Sequence, residues 1–252
     1  MIQTSVDRRT LPAIILTLSS FVLGACGDDG GSKKSTMVFA SDPFSEEVLV
    51  GSHTQLTVLG VNGTIEVHGD ATATSVSISG TMKVGSDSLD DAQQHLSDMD
   101  VVVTEAGTEV LVETDQPDGP QTGGRDYIVE YTITLPDTMK IVVVQVNGEV
   151  LIDAMNADID ATQVNGPIGA DVVLPPGGQI DLGTANGDIS LTIPKDTSAE
   201  LSCLSATGTV SDSNLDILNP VRTDHSLSGT LGGGDGTIEL SNANGDITVK
   251  GI

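Results

Sequence analysis

From about residue 36 to its end the chain alternates apolar and polar residues with a period of two, in short runs interrupted by Gly, Asn and Pro. That pattern predicts half-buried strands joined by tight corners. One unit within it returns. Leu135-Pro136-Asp137-Thr138-Met139-Lys140-Ile141-Val142-Val143 leads to Asn147-Gly148, and Leu174-Pro175-Pro176-Gly177-Gly178-Gln179-Ile180-Asp181-Leu182 leads to Asn186-Gly187, with eleven residues from Pro to Asn in both. A third copy begins at Ile193-Pro194 and reaches Thr207-Gly208 with two extra residues; Ile180, Leu182 and Ile189 return 21 residues later as Leu201, Cys203 and Val210. Nine-residue steps run from Asn147 to Asn156 to Asn165, and the same signature stands at Val61-Asn62-Gly63-Thr64-Ile65-Glu66-Val67 and at Ala243-Asn244-Gly245-Asp246-Ile247-Thr248-Val249.

Two all-β architectures use such a unit. Asn-Gly between alternating strands favours a type I′ hairpin, which would build an antiparallel β-sandwich. Alternatively, Asn-Gly is a left-handed corner between strands of one coil, and circuits of about 20 residues stack as a β-solenoid, in the manner of a parallel β-helix. The 21-residue recurrence favours the solenoid, because hairpins impose no such longer period. An aromatic content of only 2% agrees, since stacked rungs are filled by columns of Val, Ile and Leu. The corner residues Asn62, Asn147, Asn165, Asn186 and Asn244 are then scaffold: Asn and Gly tolerate the left-handed conformation, and stacked amides hydrogen-bond from rung to rung. One stretch breaks the pattern. Leu89, Ala92, Leu96 and Met99 follow helical spacing behind a Ser88 N-cap with Asp91 three residues on, which predicts a short amphipathic helix over Ser88 to Met99. Asp115 to Asp126, rich in Pro and Gly, reads as a loop, and residues 36–252 as a single domain.

The first 35 residues carry a different message. Arg8 and Arg9 precede the apolar run Leu11 to Leu23, too short for a membrane-spanning helix and suited to a signal-peptide core over residues 1–25. Leu23-Gly24-Ala25-Cys26 looks like a lipoprotein lipobox, which makes Cys26 the lipidated first residue of the mature chain and anchors it to a membrane through lipid. Residues 26–35, with Gly, Ser and charged side chains, form a flexible tether. The implied location is the bacterial cell envelope. Cys203, in an alternating stretch, is expected to point inward as a small hydrophobe.

Charge narrows the function further. With 36 Asp plus Glu against 10 Lys plus Arg and a net charge of −26, the chain lacks the basic and aromatic side chains that hold nucleic acid. His53, His68, His95 and His225 occur singly, without metal-ligand spacing, and read as surface histidines. Neither a nucleophile elbow nor a phosphate-binding glycine loop is present, so no catalytic residue, cofactor or resident metal is expected. Calcium is an alternative: Asp158, Asp188 and Asp246 each sit two residues after an asparagine corner and, on adjacent rungs, would form an acidic column. Gly232-Gly233-Gly234-Asp235-Gly236 echoes calcium-binding repeats without their nine-residue period.

The segments LPDTMKI, QVNGEV, TANGDISLTIP and NANGDITVKGI between Tyr127 and Ile252, together with LTVLGVNGTIEVHG at Leu56 to Gly69, resemble the bacterial putative-adhesin family of β-strand-repeat proteins, a domain of unknown function. The resemblance implies a surface-exposed or envelope-associated β-solenoid and supplies no catalytic residue. The expected function is a non-catalytic envelope or cell-surface lipoprotein that binds an envelope protein, a glycan or another surface. One alternative is a structural or envelope-stress protein that self-associates through the edge of its terminal strand, Ile247 to Ile252. Another is a polysaccharide lyase or hydrolase using paired acids.

Overall fold

The computed structural model describes residues 37–252; the signal segment, the lipobox with Cys26 and the tether lie outside them. Period-two patterning gives nineteen strands among the described residues. They are β1 (Val38–Leu49), β2 (Gln55–Leu59), β3 (Ile65–Gly69), β4 (Ser75–Ser86), β5 (Asp100–Ala106), β6 (Glu109–Asp115), β7 (Asp126–Leu135), β8 (Lys140–Asn147), β9 (Val150–Asn156) and β10 (Ile159–Asn165). The remainder are β11 (Ile168–Val173), β12 (Gln179–Asn186), β13 (Ile189–Ile193), β14 (Ala199–Ser205), β15 (Val210–Ser213), β16 (Ile217–Arg222), β17 (Ser226–Leu231), β18 (Gly236–Asn244) and β19 (Ile247–Gly251).

The body is a solenoid of parallel rungs, each made of one strand from either of two sheets. One sheet runs β1-β4-β7-β3-β9-β11-β13-β19-β15 and the other β16-β17-β14-β18-β12-β10-β8-β2-β6-β5. Seven rungs follow along the stack: β6/β7, β2/β3, β8/β9, β10/β11, β12/β13, β18/β19 and β14/β15. Register places like residues above one another. Leu56, Ile141, Ile159, Ile180, Ile238 and Leu201 form one inward column, and Ile65, Val150, Ile168, Ile189 and Ile247 form another in the facing sheet. These side chains belong to one continuous core, and each is worth about 1.5–3 kcal/mol over its exposed state.

Among the described residues, antiparallel pairing is confined to the ends. β1, β4 and β7 pair antiparallel at one end of their sheet, β5 with β6 at the same end of the other, and β14, β17 and β16 at the opposite end. The helix predicted over Ser88 to Met99 is shorter. α1 spans Leu89–Gln94, with the Ser88 hydroxyl accepting the Asp91 N–H as expected, and a 3-10 turn continues over Leu96–Asp98. The loop predicted over Asp115 to Asp126 holds one 3-10 turn, Gly119–Thr122.

Chain order and stack order differ, and this corrects two expectations. β14/β15 follows β12/β13 in sequence, but β18/β19 inserts between them, so Leu201 and Cys203 lie two rungs from Ile180 and Leu182. The terminal strand β19 is for the same reason no edge: it pairs with β13 on one side and β15 on the other. The strands that do form edges are blunted. β1 carries Pro43 with Asp42, Glu46 and Glu47; β5 carries Asp100 and Glu105; β15 is four residues long; and β16 contains Pro220 and a register shift. Charge, proline and irregularity are the devices that oppose edge-to-edge addition.

Candidate functional site

The asparagine corners come together as one ladder. Asn147 Nδ2 donates to Asn62 Oδ1 at 2.7 Å, Asn165 to Asn147 at 2.8 Å, Asn186 to Asn165 at 2.9 Å and Asn244 to Asn186 at 2.8 Å. Its ends are tied as well: Asn62 Nδ2 donates to the Tyr127 carbonyl at 2.9 Å, and Thr207 Oγ1 donates to Asn244 Oδ1 at 3.2 Å. Thr207 is thus the corner residue of the last rung. Beside the ladder runs a column of glycines. A Cβ on Gly148, Gly166, Gly187 or Gly245 would overlap the carbonyl oxygen of the glycine one rung away, and their φ values lie between 135° and 155°. Glycine is required there by both contact and conformation.

Two positions before the corner stands a polar residue that the hydrophobic pattern conceals. Gln145, Gln163, Thr184, Asn242 and Ser205 are all buried. Gln145, Thr184, Asn242 and Ser205 donate to the carbonyls of Gly63, Gly166, Gly187 and Gly245, whereas the Gln163 amide has no partner among the described residues. The signal was present in the sequence as Gln-Val-Asn, Thr-Ala-Asn and Asn-Ala-Asn. Both columns are scaffold.

The three aspartates considered for calcium serve the corners individually. Asp188 Oδ1 accepts the Asp246 N–H at 2.8 Å, Asp246 Oδ1 accepts the Thr209 N–H at 2.7 Å, and Asp158 Oδ1 accepts the Gln179 N–H at 2.9 Å. The Thr209 amide and hydroxyl hold the Asp246 carboxyl below the usual carboxylate range. Asp158 follows β9, on the corner opposite the one that follows β12 and β18, so the three do not form one column. Among the described residues no three His, Cys, Asp or Glu side chains converge as metal ligands would. The histidines are scattered too. His225 is exposed, His95 lies 2.6 Å from Asp98, and His53, expected at the surface, has a side chain only 10% exposed, 3.5 Å from Glu105. Cys203 is buried as expected, and burial pushes its thiol up to about 12.

One surface depression lies on the outward face of the β1 to β15 sheet. Parallel register lays its side chains in two rows across the strands. Thr132, Glu66, Leu151, Gly169, Ser190 and Thr248 form one; Thr134, His68, Asp153, Asp171, Thr192 and Lys250 form the other. Five of the twelve are threonine or serine. At the middle, where Gly169 has no side chain, a depression of about 490 Å³ opens, lined by Glu66, His68, Leu151, Asp153, Asp171 and Thr192 among others. Leu151 leans over Gly169, 3.0 Å from where a Cβ would sit, and stays 37% exposed. A β-bulge bounds the depression: Ala154, with φ of 54°, is the extra residue between Asp153, opposite Asp171, and Met155, opposite Val172. His68 Nδ1 lies 2.6 Å from Asp153 Oδ1, and both side chains are more than half exposed. The arrangement offers an apolar patch, hydroxyls and the carboxylates of Glu66 and Asp171, which have no ion-pair partner among the described residues, to a ligand. None of these residues stood out in the sequence as a site, because the rows exist only across strands.

The family model described as Toastrack DUF4097 matches residues 125–250, half of the chain. The chain belongs to this family. The Toastrack match begins at β7 and runs to β19, taking in the corners Asn147, Asn165, Asn186 and Asn244 but not Asn62. Among solved structures, the chain is similar to a putative cell adhesion protein from Clostridium sporogenes at 12% identity, covering 84% of this chain and 100% of that one with a TM-score of 0.57, which shows a shared fold. It is also similar to a putative adhesin from Bacteroides fragilis, at 11% identity over 84% of this chain and 97% of that one with a TM-score of 0.30. A putative lipid binding protein from Parabacteroides distasonis matches at 9% identity over 84% and 97% with a TM-score of 0.25. No curated protein is significantly similar to this chain.

Proposed function

We propose that this Toastrack protein is a non-catalytic, adhesin-like lipoprotein of the bacterial envelope, held to a membrane by lipid on Cys26, which contacts another envelope component through the outward face around Leu151. The depression carries this reading: it places an exposed leucine and a bare glycine among hydroxyls and carboxylates, in rows whose other members are polar or charged. The solenoid supports it by keeping that face long and rigid across seven rungs. The name of the Clostridium sporogenes neighbour, a putative cell adhesion protein, agrees with a surface role.

Co-sedimentation of the purified protein with outer-membrane vesicles and with peptidoglycan sacculi tests the contact. Wild-type protein is expected to pellet with one of them, and Leu151→Arg and Asp171→Lys to weaken retention by roughly tenfold or more, the equivalent of about 1.4 kcal/mol. Equal retention of all three proteins would remove the face from consideration. For the anchor, Cys26→Ser is expected to shift the protein from the membrane to the soluble fraction.

A further inference from the structure

The ladder rests on five Asn-Gly pairs, Asn62-Gly63, Asn147-Gly148, Asn165-Gly166, Asn186-Gly187 and Asn244-Gly245. Asn-Gly is also chemically the most labile setting for an asparagine side chain, because glycine leaves its own amide nitrogen unshielded. In that reaction the glycine nitrogen, losing its proton to water, bonds to the asparagine Cγ. The Cγ–Nδ2 bond breaks, and Nδ2 takes up a proton and leaves as ammonia. Water then opens the five-membered imide to aspartate or isoaspartate. The attack needs a free glycine N–H and an asparagine side chain able to swing toward it.

The fold withholds both at four of the five pairs. The Gly63, Gly148, Gly166 and Gly187 N–H groups donate to the carbonyls of Asn147, Asn165, Asn186 and Asn244, at 3.0, 2.9, 2.7 and 2.8 Å. Each glycine amide is held by the next rung, and each asparagine side chain is fixed on both sides by the ladder. The fifth pair stands where the series ends. In the next rung the corner is Thr207, and the Gly245 N–H has no hydrogen-bond partner among the described residues. The Asn244 side chain, exposed as are those of Asn165 and Asn186, donates to Asn186 at 2.8 Å, but on its other side it accepts only the long 3.2 Å bond from Thr207, which also donates to the Ala243 carbonyl at 3.1 Å.

We infer that Asn244 is the intrinsic deamidation site of the folded protein, and that stacking protects Asn62, Asn147, Asn165 and Asn186. Conversion removes the donor that Asn244 gives to Asn186 and puts a carboxylate in its place. The isoaspartate product also adds a backbone methylene between β18 and β19, which shifts the register of β19 against β13 and β15.

The test is incubation of the purified full chain at mildly alkaline pH, once folded and once in urea, followed by peptide mapping with mass spectrometry that resolves all five Asn-Gly peptides. In urea the five are expected to convert at rates within a few fold of one another. In the folded protein Asn244 is expected to convert at least roughly tenfold faster than each of the other four, a difference of about 1.4 kcal/mol in barrier. The inference is overturned if the folded protein converts any of the four interior sites as fast as Asn244, or if Asn244 is as slow as they are.

Discussion

Asn186 and Asn244 are 58 residues apart in sequence and share a side-chain hydrogen bond of 2.8 Å. Their rungs are neighbours, so everything between them, β13 to β17, is either the facing half of a rung or material placed beyond β18. The last segment of the chain therefore closes a gap inside the stack.

Removal of residues 236–252 follows from that placement. In a solenoid that lost only an end rung, stability would fall by one repeat and one interface. Here the deletion separates β12/β13 from β14/β15 and exposes inward residues on both sides. The truncated chain is expected to lose its cooperative unfolding transition by circular dichroism. A sharp transition at slightly lower temperature would contradict the insertion of β18/β19.

Asn165 makes two ladder bonds, one to Asn147 and one from Asn186. Asn165→Ala is expected to cost about 1–2 kcal/mol, the net worth of two such bonds. Chemical denaturation would show it as a lower midpoint with an unchanged slope.

Gly166 and Gly107 both have positive φ, 138° and 65°, but only Gly166 faces a carbonyl oxygen, that of Gly148. Gly107→Ala, in the open turn between β5 and β6, is expected to cost about 1–2 kcal/mol. Gly166→Ala should cost clearly more, because the two rungs must separate to admit the methyl group. Equal effects by thermal melting would mean that conformation alone explains the glycine column.

On the outward face of the other sheet, Asp160, Asp181 and Glu239 lie side by side on β10, β12 and β18. Burial first, and then repulsion from Asp160 and Glu239, raises the Asp181 carboxyl above its usual range. The folded state thus binds this proton more readily than the unfolded state, and the group's contribution to stability falls as pH rises through the interval between the two values. Asp181→Asn is expected to stabilise the protein at neutral pH by about 0.5 kcal/mol, the scale of a like-charge pair across strands. That gain should vanish below the ordinary carboxylate range. Melting curves of both proteins from neutral to acid pH check the sign.

The strands, the corner residues and the short helix were legible along the chain, because alternation, Asn-Gly and a Ser cap act between residues near in sequence. Asn147, Asn165 and Asn186 follow one another at steps of 18 and 21 residues, and there chain order and stack order coincide. The sequence by itself thus carried the asparagine edge and the apolar interior and favoured a β-solenoid over an antiparallel sandwich, which the parallel register decided. The order of its rungs was decided only by tertiary structure. Any rung that presents the same apolar columns and the same corner can stack on any other, so β2/β3 and β18/β19 carry no local mark of where they insert. The same holds for the face around Leu151: Glu66, His68, Leu151, Asp153, Gly169 and Asp171 are unremarkable in their own strands, and it is the parallel register of β3, β9 and β11 that brings them to one depression.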